Sequence, residues 1–317
     1  MNNTSNHDNS TALHQRLGDL STEFHQLQDE FLDQPEAARG ENLEAVADGL
    51  MSLCEERVEQ VIGELFLSEH SNYNFTKPLY VAASLLELIR RLADHDASAA
   101  VDDDRRRQMV IAALGHNLGL LDYERQVYAG DRDFTLDEKK ELRAHYPQRS
   151  AEILKAAGLD SPVIQDVARN HNLASDDPSK DALLMRIPFI YAGIAMPQKL
   201  SQASQAIENP SREFTKMFTR RELDPVYGGL FLKINGLAPI GSIIKLESNE
   251  KVMVLAGPAE EDIASSQVRM LANRNGVQLK RPGEFYRLNE TPSRHRGLAD
   301  HHHFAWTSFS PHVMWEE

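Results

Sequence analysis

Two polar residues interrupt the most apolar stretch of this sequence. The run Met109–Leu121 is nearly all hydrophobic and predicts a core helix, yet His116 and Asn117 stand side by side within it. An imidazole in a protein core is either a hydrogen-bonded structural group or a ligand for a metal such as zinc or iron. Both interpretations predict that His116 and Asn117 are buried and hydrogen-bonded.

A second group of residues with ligand chemistry lies near the C-terminus. The stretch 291–317 carries five histidines and both tryptophans of the chain: His295, His301, His302, His303, His312, Trp306 and Trp315. Imidazoles bind zinc, but a histidine-rich tract often reflects composition alone. We therefore expect residues 291–317 to form an irregular tail without a specific metal site.

The elements that must position these residues are mostly helices. Apolar residues recur at spacings of three and four over residues 12–67, which predicts an N-terminal helical region. Residues 34–40 include Pro35 and Gly40 and should divide this region into two helices. The polar residues 1–11 are expected to be disordered. The helical pair could pack on the rest of the chain or on a second copy, forming a homodimer.

Further helices are predicted along the middle of the chain. Thr135 and Glu138 form a capping box, which predicts a helix from Leu136 to about Ala144. Another predicted helix has Pro78 in its first turn, and a further one begins at Pro147. The remaining predicted helices cover Pro162–Asn170 and Asp181–Ala195 and lie near Arg212–Arg220.

The pattern changes near Gly236. Ile240–Leu246 and Lys251–Leu255 flank turn-forming residues and predict a β-hairpin. Val268–Leu271 and Val277–Leu279 flank Asn275–Gly276, a dipeptide favoured in hairpin turns. The expected fold is mainly α: a helical bundle with N-terminal helices and a small C-terminal β-hairpin unit.

Composition limits the partners and the compartment. The net charge of −14 argues against a nucleic-acid surface, which needs clustered lysine and arginine. The sequence has neither an apolar N-terminal signal nor a run of about 20 apolar residues, so we expect no contact with a membrane. The single cysteine, Cys54, suits a reducing compartment, and we expect a cytoplasmic protein.

Several ordered motifs resemble those of HD-GYP phosphohydrolases. Ala112–Gly119 (AALGHNLG) is similar to the family signature AALLHDIG. Other segments match in the family's order: Val81–Ala82 in an upstream helix, Leu136–Glu141, Pro147–Leu154, Arg186–Ile187, and Asn235–Ser242 in the turn that follows HD-GYP domains. The resemblance implies an HD-domain helical bundle over residues 68–235, closed by a small β subdomain over residues 236–290.

The resemblance also implies where metal ligands should lie, and this sequence departs from most of them. HD-GYP enzymes hold two or three metal ions through histidines and carboxylates, and these ions activate water. In this chain the corresponding positions are Lys77, His116, Asn117, Tyr146, Asn170, His171, Asn172 and Ala192. Protonated lysine cannot ligate a metal, and Asn117 replaces a bridging carboxylate by a neutral amide. The GYP segment itself, part of the cyclic-di-GMP surface in the family, is missing after Asn172.

These departures predict a catalytically inactive signalling protein with no catalytic residues and no cofactor. It would bind a ligand in the former metal pocket or an unknown protein partner, such as another signalling protein, in bacterial signal transduction. An alternative is a metal-dependent phosphohydrolase or cyclic-di-GMP phosphodiesterase that holds one Fe, Mn or Zn ion through His116, His171 and His145. A third hypothesis, a non-enzymatic HDOD-like module, fits the Pro239–Ser242 turn less well.

Overall fold

The structure is a computed structural model that describes residues 3–34, 38–68, 73–128, 135–173, 175–196, 210–258, 262–290, 295–298 and 310–316. Within these ranges the chain is mainly helical with a small antiparallel sheet, which confirms the coarse fold class. The helices are α1 (Asn3–Asp33), α2 (Gly40–Leu67), α3 (Tyr73–His95), α4 (Asp103–Gly115), α5 (Leu118–Tyr128), α6 (Leu136–Ala156), α7 (Pro162–Asn170), α8 (Lys180–Ala195), α9 (Pro210–Thr219) and α10 (Pro225–Asn235). Over the same ranges, none is long and apolar enough to cross a bilayer.

The N-terminal helices differ from the prediction at their start. The predicted break is confirmed, since α1 ends at Asp33 and α2 begins at Gly40. However, α1 begins at Asn3 and so includes most of the residues 1–11 for which disorder was predicted. Ser10 is fully buried there, donates to the carbonyl oxygen of His312 at 3.0 Å and accepts from Nε2 of Gln60 at 3.0 Å. These distant partners, which local composition does not reveal, stabilise the first turns.

Two predicted helix starts at proline are wrong, and one predicted continuous helix is broken. Pro78 lies inside α3 and Pro147 lies inside α6, so both helices continue through them. A proline removes one helical hydrogen bond, but burial of the surrounding apolar residues can offset that cost. The apolar run Met109–Leu121 is instead divided between α4 and α5, with His116 and Asn117 in the turn.

The chain divides into two compact units that cut across the predicted boundaries after residues 67 and 235. The helical unit comprises residues 19–52 and 74–190, and the sheet unit comprises residues 1–18, 53–73 and 191–317. Helices α1, α2 and α8 each contribute residues to both units. Local periodicity predicts such helices but not which core each half joins.

The core of the helical unit surrounds α4. Residues Met109 to Leu114 are all 1 % exposed or less, and α4 packs with α6 and α7. Close approach requires glycine at one point between α5 and α6. A β-carbon at Gly119 would lie 2.3 Å from the backbone oxygen of Tyr146, a distance that no side chain tolerates. Gly119 therefore sets the spacing between the His116–Asn117 turn and α6.

The sheet unit contains a five-stranded antiparallel sheet with strand order β4-β3-β2-β1-β5. Its strands are β1 (Ile243–Leu246), β2 (Lys251–Pro258), β3 (Ser266–Ala272), β4 (Phe285–Arg287) and β5 (His295–Leu298). The first three agree with the predicted strands. Val277–Leu279 makes only an isolated bridge, Ala272 with Gln278, and β4 pairs with β3 in its place. Strand β5 pairs with β1, although it lies in the tail predicted to be irregular.

Candidate functional site

His116 and Asn117 occupy the turn between α4 and α5. His116 is 1 % exposed and Asn117 is 4 % exposed, so the predicted burial is confirmed. The hydroxyl of Ser150 on α6 donates to the carbonyl oxygen of His116 at 2.7 Å and accepts from the amide of Gly119 at 2.9 Å. Helix α6 thus holds both ends of the turn and fixes the direction of the His116 side chain.

His171 sits in an equivalent position at the end of α7. Each histidine directly follows the last residue of its helix, and each Nδ1 lies near a carbonyl oxygen three residues earlier. The distances are 2.6 Å from His116 to Ala113 and 3.0 Å from His171 to Ala168. A carbonyl oxygen only accepts, so each neutral ring must donate from Nδ1 and carry its lone pair on Nε2.

The two imidazoles meet inside the helical unit. Their ring centroids are 5.2 Å apart in an edge-to-face arrangement, and the Phe189 ring contacts both rings edge to face. Nε2 of His171 accepts from the hydroxyl of Tyr146 at 3.0 Å. Nε2 of His116 is buried and has no hydrogen-bond partner among the described residues. Lys77, His116, Tyr146, His171 and Phe189 together form what we call the histidine cluster.

Lys77 brings a positive charge to this cluster. Its Nζ lies 4.4 Å from the centroid of the Phe189 ring, a cation–π contact. Burial lowers the pKa of His171 to about 3, and Lys77 and Arg186 contribute to this lowering by repulsion. Burial also lowers the pKa of His116 well below its usual range, with added repulsion from His171 and Lys77. Both rings are therefore neutral at pH 7, and because Nδ1 is the donor in each, each Nε2 keeps its lone pair.

Asn117 has a partner that the sequence analysis missed. The side-chain nitrogen of Gln28 on α1 donates to Oδ1 of Asn117 at 3.4 Å, and Gln28 is 1 % exposed. Gln28 lies on the apolar face of α1 with Phe24 and Phe31, at helical spacings of four and three. The sequence did contain a signal for Gln28, because a polar residue on the apolar face of a helix indicates a buried hydrogen bond. Phe189, the other residue missed, follows Pro188 in an apolar helix and carries no such signal.

The structure does not bring the remaining predicted residues into the cluster. Asn170 donates to Asp166 and accepts from Ser175, and Asn172 donates to the carbonyl oxygen of Arg143. His145 is exposed because the continuous helix α6 directs its neighbour Tyr146 inward. Ala192 belongs to the sheet unit and carries only a methyl group. The tail residues His301, His302, His303 and Trp306 lie outside the described residues.

The donor set does not fit a carboxylate-bridged binuclear metal centre. Such a centre needs several anionic oxygens to balance two cations, whereas the cluster offers two neutral imidazoles and a lysine. Within the described ranges, no group of three or more His, Cys, Asp or Glu side chains is arranged to hold a metal ion. Comparisons with protein-family models, curated proteins and solved structures give no match. The chemistry of the site is accordingly inferred from its own residues.

The buried histidines predict a specific pH dependence of stability. Their folded pKa values lie below the ordinary 6.5, so below pH 6.5 only the unfolded chain takes up these protons. Their contribution to the free energy of unfolding is therefore present in full above pH 6.5. It is lost as the pH falls below 6.5, at about 1.4 kcal/mol per pH unit for each histidine, and for His171 this loss ends near pH 3. Replacing His171 by Gln should make the slope of unfolding free energy between pH 6.0 and 4.5 shallower by that amount, measured by urea unfolding.

The matched control for this experiment is His145→Gln, which removes an exposed histidine from a neighbouring helix. We expect its slope to equal that of the unmodified chain. An unchanged slope in His171→Gln would show that His171 titrates normally in the folded protein.

Lys77 should contribute to the same pH dependence through its charge. Lys77→Met removes the repulsion that lowers the pKa of both rings, so protonation of the folded chain becomes less costly. The loss of unfolding free energy between pH 7 and pH 4.5 should then become smaller than in the unmodified chain. Lys155→Met, which removes an exposed lysine, is the control and should leave that loss unchanged. Equal losses in the two variants would show that Lys77 does not lower the pKa of the buried histidines.

Proposed function

We propose that this chain is a degenerate HD-GYP-like protein that acts in bacterial signal transduction by binding a protein or a small ligand, without catalysis. The observation that supports this most strongly is the composition of the histidine cluster. At the positions where the resemblance implies metal ligands, two imidazoles are accompanied by an ammonium, a phenol and an amide. This combination serves hydrogen bonding better than metal activation of water.

Charge supports the proposal. A binuclear centre places two cations close together and relies on a bridging carboxylate to hold them. Asn117 supplies a neutral amide where the resemblance implies the bridging carboxylate, and Lys77 adds a positive charge to the adjacent histidine cluster. A metal ion entering the cluster would meet repulsion from Lys77 in surroundings where burial strengthens it.

Hydrogen bonding supports it too. The hydroxyl of Tyr146 already donates to Nε2 of His171, which is the lone pair that a metal ion would need. Gln28 likewise donates to Asn117. Polar groups that partner one another in this way give a buried network with a fixed arrangement. A fixed arrangement suits a scaffold that is recognised by a partner.

The proposal extends to the setting of the protein. We propose a cytoplasmic location and a protein partner, with α1 and α2 as the surface that could also pair two copies into a homodimer. The net charge of −14 favours protein partners over nucleic acids.

One observation favours a second candidate function, a phosphohydrolase with a reduced metal site. Nε2 of His116 carries a lone pair, is buried and has no hydrogen-bond partner among the described residues. Its Nδ1 bonds a backbone carbonyl oxygen, which is the usual support of a metal-bound histidine. His116 and His171 would then hold one Fe, Mn or Zn ion, which would supply activated water. The exposed position of His145 leaves that set without its third imidazole.

Restoring the missing ligands tests the proposed origin of the cluster. Lys77→His combined with Asn117→Asp replaces the ammonium by an imidazole and the amide by a carboxylate. We expect this double variant to take up manganese, iron or zinc at near-stoichiometric levels after dialysis against each metal, measured by elemental analysis. The unmodified chain should remain well below one ion per chain under the same conditions. A chain with Lys155→His and Lys180→Asp, both at exposed positions, is the control for added ligands elsewhere.

Two results would contradict the proposal. If the double variant folds but takes up no more metal than the control, the cluster did not originate as a metal site. If the unmodified chain already binds one ion, and loses it on His116→Ala, the reduced phosphohydrolase becomes the better account.

A further inference from the structure

The C-terminal segment, residues 310–316, is bound within the sheet unit much as a peptide is bound by a receptor. Residues Pro311–Trp315 form a short 3-10 helix. Met314 is fully buried in an apolar cluster with Ile243, Met253, Leu255 and Leu271. Burying a methionine side chain contributes roughly 1.5–3 kcal/mol. Met314 is thus one anchor of the segment.

Trp315 is the second anchor, and Gly63 on α2 makes the room for it. The indole nitrogen of Trp315 donates to the carbonyl oxygen of Leu255 at 3.1 Å. A β-carbon at Gly63 would lie only 2.3 Å from the indole ring. The bare backbone at Gly63 therefore leaves a slot that the indole ring of Trp315 occupies.

Arg269 on β3 binds the main chain of the segment. Its Nη1 donates to the carbonyl oxygens of Val313 and Met314, at 2.9 Å each, and of Glu316 at 2.5 Å. The last carbonyl groups of a helical turn lack an amide partner. Arg269 binds those of Met314 and Glu316, and it shares the carbonyl oxygen of Val313 with the backbone amide of Glu316, which donates to it at 3.3 Å. The guanidinium is itself held by the carbonyl oxygen of Gly283 at 2.7 Å and lies 4.2 Å from the Phe285 ring centroid.

We propose that these elements form a peptide-binding site, and that the C-terminal segment is its intramolecular ligand. Arg269 recognises the carbonyl groups of a single helical turn, whatever its side chains. The apolar cluster and the Gly63 slot select adjacent methionine and tryptophan side chains. Peptide-recognition sites commonly divide affinity and specificity between main chain and pockets in this way. The ligand class is a short peptide with a Met-Trp pair, and the site does not depend on the function proposed above.

An intramolecular ligand masks such a site from free peptide. Attachment to the same chain gives the segment an effective concentration that can reach the millimolar range, so a free peptide competes poorly. Replacing Trp315 in the segment should therefore expose the site, while Gly63, Arg269 and the apolar cluster that form the site stay unchanged.

The test uses the full chain with Trp315→Ala and a labelled synthetic peptide of residues 310–317, followed by fluorescence anisotropy. We expect this variant to bind the peptide at least about tenfold more tightly than the unmodified chain does. Val313→Ala, a change at a half-buried position of the same segment, should behave as the unmodified chain. Binding should be lost when the peptide carries alanine in place of tryptophan, and when Arg269→Met is added to the Trp315→Ala chain.

The proposal is overturned if the Trp315→Ala chain, shown to be folded by circular dichroism, binds the peptide no better than the unmodified chain. It is also overturned if Arg269→Met leaves the binding unchanged. If Trp315→Ala prevents folding, Gly63→Ala provides the second test, because alanine favours the helix while its methyl group fills the slot. Faster deuterium exchange in residues 310–316 of that variant supports the proposal, and unchanged exchange contradicts it.

Discussion

The Nδ1 hydrogen bonds of His116 and His171 to carbonyl oxygens of their own helices determine the chemistry of the helical unit. Each bond fixes its ring in the tautomer that donates from Nδ1, so each Nε2 is an acceptor. Burial keeps both rings neutral, so Lys77 can lie near them without severe repulsion and Tyr146 can donate to Nε2 of His171. The arrangement depends equally on Ser150, whose hydroxyl bonds at both ends of the His116–Asn117 turn.

A neutral, hydrogen-bonded cluster behaves differently from a metal centre built on the same backbone positions. Metal ligands must present lone pairs to one point, and their charges must balance the cation. In this chain the lone pair of His171 is already engaged by Tyr146, and Lys77 places a positive charge close enough to repel protons from both rings. The lone pair of His116 is the remaining feature of ligand chemistry, and it marks the point where a bound ligand could donate a hydrogen bond.

Burial of the polar pair His116 and Asn117 could be predicted from the sequence, because a run of apolar residues around them leaves no exposed face. The helix boundaries near proline could not be predicted from the sequence, because α3 and α6 are kept continuous by tertiary packing, which is not a local property. That continuity decides which side chain enters the cluster, and it places Tyr146 inside and His145 outside. Gln28 could have been recognised as a polar residue on an apolar face, but its partner Asn117 lies 89 positions away.

In the sheet unit, the order of the C-terminal residues likewise depends on long-range contacts that local sequence patterns do not predict. Their composition suggested an irregular tail, yet β5 completes an edge of the sheet and Met314 enters its core. The contacts that order residues 310–316 come from Gly63 on α2 and from Arg269 on β3, which no local pattern links to the tail. From the sequence alone, Gly63 is only a residue with low helix propensity. Its role in making room for the indole of Trp315 is visible only in the structure.

The most direct test of the central claim is the metal content of the unmodified, untagged protein purified without chelator, with cyclic-di-GMP hydrolysis assayed on the same sample. We expect iron, manganese, zinc and nickel well below one ion per chain, and no turnover. Near-stoichiometric metal that disappears when His116 and His171 are replaced by alanine would contradict it, and would show that a metal centre operates in the histidine cluster.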